Sequence, residues 1–236
     1  MSTAKNILIT GANRGIGLEF ARQYAEQGHK VFATSRDNYR SAELKELQQK
    51  MPSGQIQILP LEAADDASRK AMKKHLGDVA LDLFINNAGI YGPRSLPLGD
   101  IDEREWLHVL HINTVAPLKM VEVLRDNLRA AENGATVAVL SSKMGSIADN
   151  SSGGNYLYRS SKAAINCVVK SMAIDLAADN INVVSLHPGW VKTDMGGPNA
   201  LIDTTTSVAG QIKVLNQLTK DQSGLFLNYD GSVIPW

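Results

Sequence analysis

The chain has 236 residues, with 24 Lys+Arg against 24 Asp+Glu, so its formal net charge is zero; 44% of its residues are hydrophobic and 20% charged. That balance suits a globular protein with a sizeable core, and an α/β fold of this size need not split into two domains. It excludes nucleic acid as the main expected partner, which calls for a clustered basic surface, so any positive site must be local.

From the N-terminus, residues 1–6 lead directly into Ile7-Leu8-Ile9, too short an apolar run for a secretory signal. No later run reaches the ~18 apolar residues of a membrane helix, so no membrane partner is expected. Apolar runs follow at 6–10, 30–34, 55–59, 81–86, 136–141, 182–187 and 224–228. They are short and nearly continuous, as strands covered on both faces are. Segments 15–28, 41–51, 66–77, 103–131, 155–179 and 204–219 lie between them and are long enough for crossover helices. The alternation predicts an α/β fold in one domain spanning 1–236: a Rossmann-type doubly wound parallel sheet of about seven strands with helices on both faces. Ligands of such sheets bind beyond the carboxyl ends of the strands. Two glycine-rich loops there exceed what joining requires, 144–155 and 188–203, and a substrate loop is expected over about 188–207. The lone Cys167 has helix-core flanks, is read as a small buried apolar residue, and fits a reducing cytoplasm.

The first strand ends in Thr10-Gly11-Ala12-Asn13-Arg14-Gly15-Ile16-Gly17, and a helical pattern follows at once. Glycines there permit a tight turn and close backbone approach to a pyrophosphate, which the helix then meets with unpaired N–H groups and its positive dipole end. Further along, Tyr158 and Lys162 stand at i and i+4, on one helix face. A free tyrosine has a pKa of about 10, too high for ready proton exchange at neutral pH. An ammonium at ~4 Å, with an effective dielectric of ~20, attracts the phenolate by ~4 kcal/mol and is expected to lower that pKa. Tyr158 could then give a proton to a carbonyl oxygen as hydride arrives at its carbon.

The spacing Gly-x-x-x-Gly-x-Gly after Thr10, then Asn86-Asn87-Ala88-Gly89, Tyr158-x-x-x-Lys162, and Pro188-Gly189 followed by Thr193 resemble the short-chain dehydrogenase/reductase family, in the family's order. The ending 228–236, the long serine-to-tyrosine gap and the Pro188–Met195 run resemble, within it, the carbonyl reductases related to sniffer and C-factor. The resemblance implies an NADP(H)-dependent reductase of aldehydes, ketones or quinones. It names Ser142, from the form Ser-x-x-Gly, as the residue bonding the substrate oxygen. It names Asn113 as the holder of a water linked to Lys162, and Lys162 as a partner of the nicotinamide ribose. The gap from Ser142 to Tyr158 is 16 residues, against about 13 in the family; the shorter gap would reach Asn155, with Tyr156 nearby. Only Tyr158 has Lys four residues later, so the extra residues must loop out.

The resemblance implies cofactor contacts at Gly11, Asn13, Arg14, Gly15, Ile16, Gly17, Ser35, Arg36, Asn87, Ala88, Gly89, Tyr158, Lys162, Pro188, Gly189, Val191 and Thr193. An adenine contact at Glu62 and Ala63 carries over weakly, since the family has Asp there. NAD readers place an acid after the second strand; here Ser35 and Arg36 stand there, and Arg14 lies in the glycine loop. Two guanidinium groups without a facing acid suit a 2′-phosphate, which favours NADP(H). Asp37, turned toward the ribose, would instead favour NAD(H). Tyr91, Met144 and Trp190 are the candidate substrate contacts. The five histidines show no metal-ligand spacing, so no metal is expected. Helices 103–131 and 155–179 match the family's dimer-forming pair, which leaves homodimer, homotetramer and monomer open. A dinucleotide-binding signalling protein of C-factor type with little catalysis is the alternative function.

Overall fold

Each strand of this chain alternates its side chains between two apolar layers, which is why the strands read as unbroken hydrophobic runs. The computed structural model describes residues 4–36, 41–94 and 96–236. In chain order the elements are β1 (Asn6–Ile9), α1 (Gly15–Glu26), β2 (Lys30–Ser35), α2 (Ala42–Lys50), β3 (Ile56–Pro60), α3 (Asp66–Leu76), β4 (Leu83–Asn86), α4 (Glu103–Leu110), α5 (Ala116–Arg129), β5 (Ala135–Leu140), α6 (Tyr156–Asp175), β6 (Ile181–His187), α7 (Thr204–Asn216) and β7 (Phe226–Asn228). Ile7, Ile9, Val31 and Ala33 join Phe20 of α1, Leu44 of α2 and Ile212 of α7 in one core layer. Leu8, Phe32, Phe84 and Val137 join Met72 of α3, Leu124 of α5 and Ile165 of α6 in the other. Each fully buried side chain of this size contributes about 1.5–3 kcal/mol.

The seven described strands form one sheet in the order β3-β2-β1-β4-β5-β6-β7, and every pairing is parallel. The chain moves outward from β1 to β3, then crosses back to β4 on the other side of β1. That reversal leaves a crevice beyond the carboxyl ends of β1 and β4, the place where ligands of doubly wound sheets bind. The predicted architecture is the observed one. No helix among the described residues is long and apolar enough to cross a membrane.

Two helical expectations need correction. The segment 103–131 is not one uniform helix: α4 and α5 are joined by a π-helical turn at His111–Val115, and Pro117 lies in the first turn of α5. Proline has no N–H to give the carbonyl four residues back, and its ring crowds that carbonyl, so the chain widens there. The widened turn buries Asn113. Cys167 is exposed, not buried. The buried face of α6 runs through Tyr158, Ser161, Lys162, Ile165, Val169 and Met172, and Cys167 lies off that face.

The long gap between β5 and α6 is taken up by a loop, and the chain enters α6 through Asn155 in the left-handed region (φ 47°). A turn at Lys143–Gly145 brings this loop hard against α6: a Cβ on Gly145 would lie 2.7 Å from the carbonyl carbon of Lys162 and 2.8 Å from its Cβ. Gly145→Ala should therefore push α6 off its seat. The expected cost is about 1–3 kcal/mol, typical of overpacking. At about 2–4 °C per kcal/mol for a chain of this size, the melting temperature falls measurably. An unchanged melting temperature in a thermal scan would show that this contact is slack.

Candidate active site

The crevice is stitched shut at its base by one hydroxyl. Thr10 follows β1, and its Oγ1 accepts the backbone N–H groups of Asn87 and Ala88, both at 3.0 Å. Asn87 answers by donating Nδ2 to the carbonyls of Thr10 (2.8 Å) and Gly11 (3.0 Å). The loops after β1 and β4 are thereby held side by side. Thr10 was not among the expected site residues, although it opens the Thr-Gly pattern; its role depends on a partner 77 positions away.

Gly17 has no room for a side chain, since a Cβ there would lie 2.3 Å from the Gly11 carbonyl oxygen and 2.5 Å from Asn87 Nδ2. Helix α1 starts at Gly15 behind Arg14, with no side-chain cap and no acid in its first turn. Its leading N–H groups therefore meet the crevice available for an anion, with Asn13 on the turn before them and Ile16 packed onto the core behind. This cradle fits a pyrophosphate. A Cβ on Gly15 would lie 3.5 Å from Thr193 Cγ2, so the loop after β6 reaches the glycine turn.

At the outer end, Ser35 closes β2 with its hydroxyl 2.6 Å from that of Ser41. The expectation that Arg36 and Arg14 lack facing acids is overturned. Arg36 lies 3.7 Å from the Glu62 carboxylate, and Arg14 pairs with Asp194. Glu62 also accepts from the Ala64 N–H (3.3 Å), and the neighbouring Ala63 carbonyl accepts from Arg69 (2.7 Å). Both arginine pairs are largely exposed. Exposed pairs contribute about 0–1 kcal/mol, whereas charge-assisted bonds of the kind a phosphate accepts contribute about 1.5–3 kcal/mol, so a phosphate can displace either acid. Asp37 lies outside the described residues.

Ser142, Tyr158 and Lys162 converge beyond β5 and are buried, with 8%, 8% and 7% exposure. Tyr156, the competing tyrosine, is exposed. The Ser142 hydroxyl accepts from Met144 N (3.2 Å) and lies close enough to Tyr158 to stabilise its phenolate. Lys162 Nζ sits 5.7 Å from the centre of the Tyr158 ring and donates to the Leu140 carbonyl at 2.8 Å. Asn113, inside the π turn, donates to the Ile90 carbonyl (2.8 Å) and Ser161 Oγ (3.0 Å) and accepts from Ile90 N (2.9 Å). A Cβ on Gly89 would stand 3.1 Å from Asn113 Oδ1 and 3.7 Å from Lys162 Nζ, so these three groups share one corner.

The electrostatics differ from the simple pair argument. Burial pushes the Tyr158 phenol up to about 12, while Ser142 and Arg94 act to lower it. Burial brings the Lys162 ammonium down to about 8. Desolvation is the largest influence on each group, and Nζ is engaged by the Leu140 carbonyl. At neutral pH the phenol holds its proton and most of the lysine is charged.

On the open side, the Tyr91 ring stacks on the Tyr158 ring, and Tyr91 OH meets Met144 Sδ at 3.7 Å. Met144 also lines a cavity of about 250 Å³ between the 144–155 loop and α6, with Trp106, Ile147 and Arg159 among its other walls. Trp190 is half-exposed and donates its indole N–H to the Gly196 carbonyl (2.8 Å), bracing its own loop. Pro188 anchors that loop by accepting from Ser207 Oγ (2.5 Å), Gly189 follows it, and buried Val191 bridges to Ile202. Thr193 Oγ1 accepts from Gly196 N at 3.1 Å. The loop also brings in Met195, whose Sδ lies 4.0 Å from Tyr158 OH. Met195 lies within the expected substrate loop, whereas Arg94 carries no local spacing signal and was not anticipated.

The family model described as short chain dehydrogenase matches residues 5–201. The structure resembles the NADPH bound carbonyl reductase from chicken fatty liver, at 36% identity over 100% of both chains and a TM-score of 0.93. It also resembles the carbonyl reductase Sniffer of D. melanogaster, at 34% identity over 99% of this chain and 100% of that one, with a TM-score of 0.92. The C-signal of Myxococcus xanthus is 43% identical over 158 residues, covering 66% of this chain and 93% of that protein. The similarity to the sniffer and C-factor group, expected from the motifs, is thus found in both sequence and structure. With a match that runs from the first strand through the loop beyond β6, on a sheet of this order, the chain belongs to the short chain dehydrogenase family.

Proposed function

We propose that this chain reduces a small carbonyl compound, an aldehyde, ketone or quinone, to its alcohol with NADPH, and that Tyr158 donates the proton. The observation that carries this reading is the shared burial of Ser142, Tyr158 and Lys162 at the sheet's carboxyl edge, opening onto the crevice that the glycine cradle lines. The likeness to an NADPH bound carbonyl reductase supports the cofactor and the reaction class.

NADPH would be held at its pyrophosphate by the Gly11–Gly17 turn and the first N–H groups of α1, at its 2′-phosphate by Arg36 and Arg14, and at its nicotinamide end by Asn87–Gly89, Lys162 and the Pro188–Thr193 segment; it supplies the hydride. Tyr158, protonated at neutral pH, hands its proton to the substrate oxygen as negative charge develops there. The Ser142 hydroxyl donates to the same oxygen and helps hold that charge. The Lys162 ammonium stabilises the phenolate left behind, so the pair that is mismatched at rest becomes matched once the proton has moved. Asn113 fixes the Gly89–Ile90 backbone against α6 and holds the water that links Lys162 to solvent. Tyr91 and Met144 form the substrate wall.

A second reading, a dinucleotide-binding signalling protein with little turnover, draws on the similarity to C-signal. One assay separates the two: NADPH oxidation followed by absorbance over a panel of aldehydes, diketones and quinones. Turnover is expected, and Tyr158→Phe should lower kcat by about 100-fold or more while NADPH binding is kept, the usual scale for losing a general acid. Tight NADPH binding by the wild-type chain with no turnover on any panel member favours the signalling reading.

Cofactor choice is tested separately. Arg36→Ala should raise the NADPH KM by about 10-fold or more, the loss of one charge-assisted bond, and leave the NADH KM nearly unchanged. An equal change for both cofactors would remove Arg36 from the 2′-phosphate site.

A further inference from the structure

The loop after β4 supplies a chain of contacts onto Tyr158 that goes beyond a substrate wall. The rings of Tyr91 and Tyr158 lie 4.3 Å apart between centroids and only 16° from parallel. The guanidinium carbon of Arg94 stands 4.5 Å over the Tyr91 ring. Two groups cannot share one ring face at those separations, so Tyr91 is sandwiched between Arg94 and Tyr158. Arg94 Nη2 also donates to the Met195 carbonyl, and the Met195 sulfur meets the Tyr158 hydroxyl at 4.0 Å. The four residues therefore close a circuit that returns to the proton donor.

The backbone between Tyr91 and Arg94 is stiff. Pro93 has its φ locked by the ring, and a Cβ on Gly92 would lie 2.6 Å from Val109 Cγ2, so this turn rests directly on α4. Among the described residues no carboxylate pairs with Arg94. Burial raises both phenols, and the Arg94 charge acts against that rise in each. The other charged groups at this stack are Lys162, 5.7 Å from the centre of the Tyr158 ring, and Arg159, which follows Tyr158 on the same helix and also acts to lower the Tyr91 phenol.

We propose that Tyr91 and Arg94 are positioning residues for the proton donor: Arg94, braced on Met195, holds the Tyr91 ring flat against Tyr158 and so fixes the direction of its hydroxyl. This rests on the reading of Tyr158 as the donor. A phenol misplaced by about 1 Å can lose about 100-fold in rate, so a fixed direction matters as much as acidity. A cation on the far side of a stacked ring attracts the ring's face, and the stack is thereby held closed.

The test uses the full chain, NADPH and the best carbonyl from the panel. Tyr91→Ala should lower kcat by about 10-fold or more, and Tyr91→Phe, which keeps the ring, should recover most of that loss. NADPH affinity and melting temperature should change little, and the fall in kcat should exceed any rise in substrate KM, which separates the positioning role from the part Tyr91 plays in the substrate wall. Arg94→Met should lower kcat by more than it raises substrate KM, and Arg94→Lys, which keeps a cation behind the ring, should recover part of that loss. Unchanged kcat in Tyr91→Ala, or a loss carried entirely by KM or stability, overturns the proposal. If Tyr158→Phe retains turnover, or the wild-type chain has none, the parent reading fails and takes this one with it. An inactive Tyr158→Phe beside unaffected Tyr91→Ala and Arg94→Met sinks the positioning role alone.

Discussion

The parallel pairing of β1 with β4 is the constraint from which the site follows. Because the chain leaves β1 in one direction and returns to β4 on the other side, no connection covers the carboxyl ends of these two strands. The cleft so formed would be loose without the Thr10 hydroxyl and the Asn87 amide, which satisfy backbone groups of both loops. Buried or half-buried backbone groups left unpaired are costly, so this small network does structural work beyond its size. Gly17 then lets α1 press into the same network, with its leading N–H groups at the crevice.

The chemistry depends on burial acting on two groups in opposite senses. Desolvation raises the phenol and lowers the ammonium, so both resting forms shift toward neutrality. In the proposed reduction such a pair would keep its proton on Tyr158 and develop its strongest attraction only after the proton has left. An interaction that strengthens along the reaction is the kind that lowers a barrier, whereas a resting ion pair would have stabilised the wrong state. Gly145 and Leu140 matter because the first lets the loop after β5 press on the Lys162 backbone and the second accepts from its Nζ.

The exposed ion pairs at the rim serve a different purpose. Arg14–Asp194 joins the glycine turn to the loop after β6, and Arg36–Glu62 joins the ends of β2 and β3. Each holds a guanidinium near the crevice with a weak partner, which leaves it open to a stronger anion. The loop after β6 is meanwhile folded on itself through Trp190, Gly196 and Thr193, and delivers Met195 to the Tyr158 hydroxyl. The rim is thus closed by exposed ion pairs and by hydrogen bonds within one loop.

Local pattern was enough for the layers, the glycine turn and the Tyr158/Lys162 face, because each of these is set within a few residues. Period-two burial makes continuous apolar runs when both sheet faces are covered, and i, i+4 spacing puts two side chains on one helix face. The choice of Tyr158 over Tyr156 was legible for the same reason, and the structure turns Tyr156 outward. Cys167 was misread because apolar flanks announce a helix but not which of its faces meets the core. What only the tertiary structure decided are the partners across the fold: Asp194 on Arg14, 180 positions away, Glu62 on Arg36, and Arg94 behind Tyr91. Those meetings depend on where loops travel after leaving the sheet. Loop paths are set by long-range packing and by steric limits such as Pro117 and Gly92, which leave little periodic trace in the chain that obeys them.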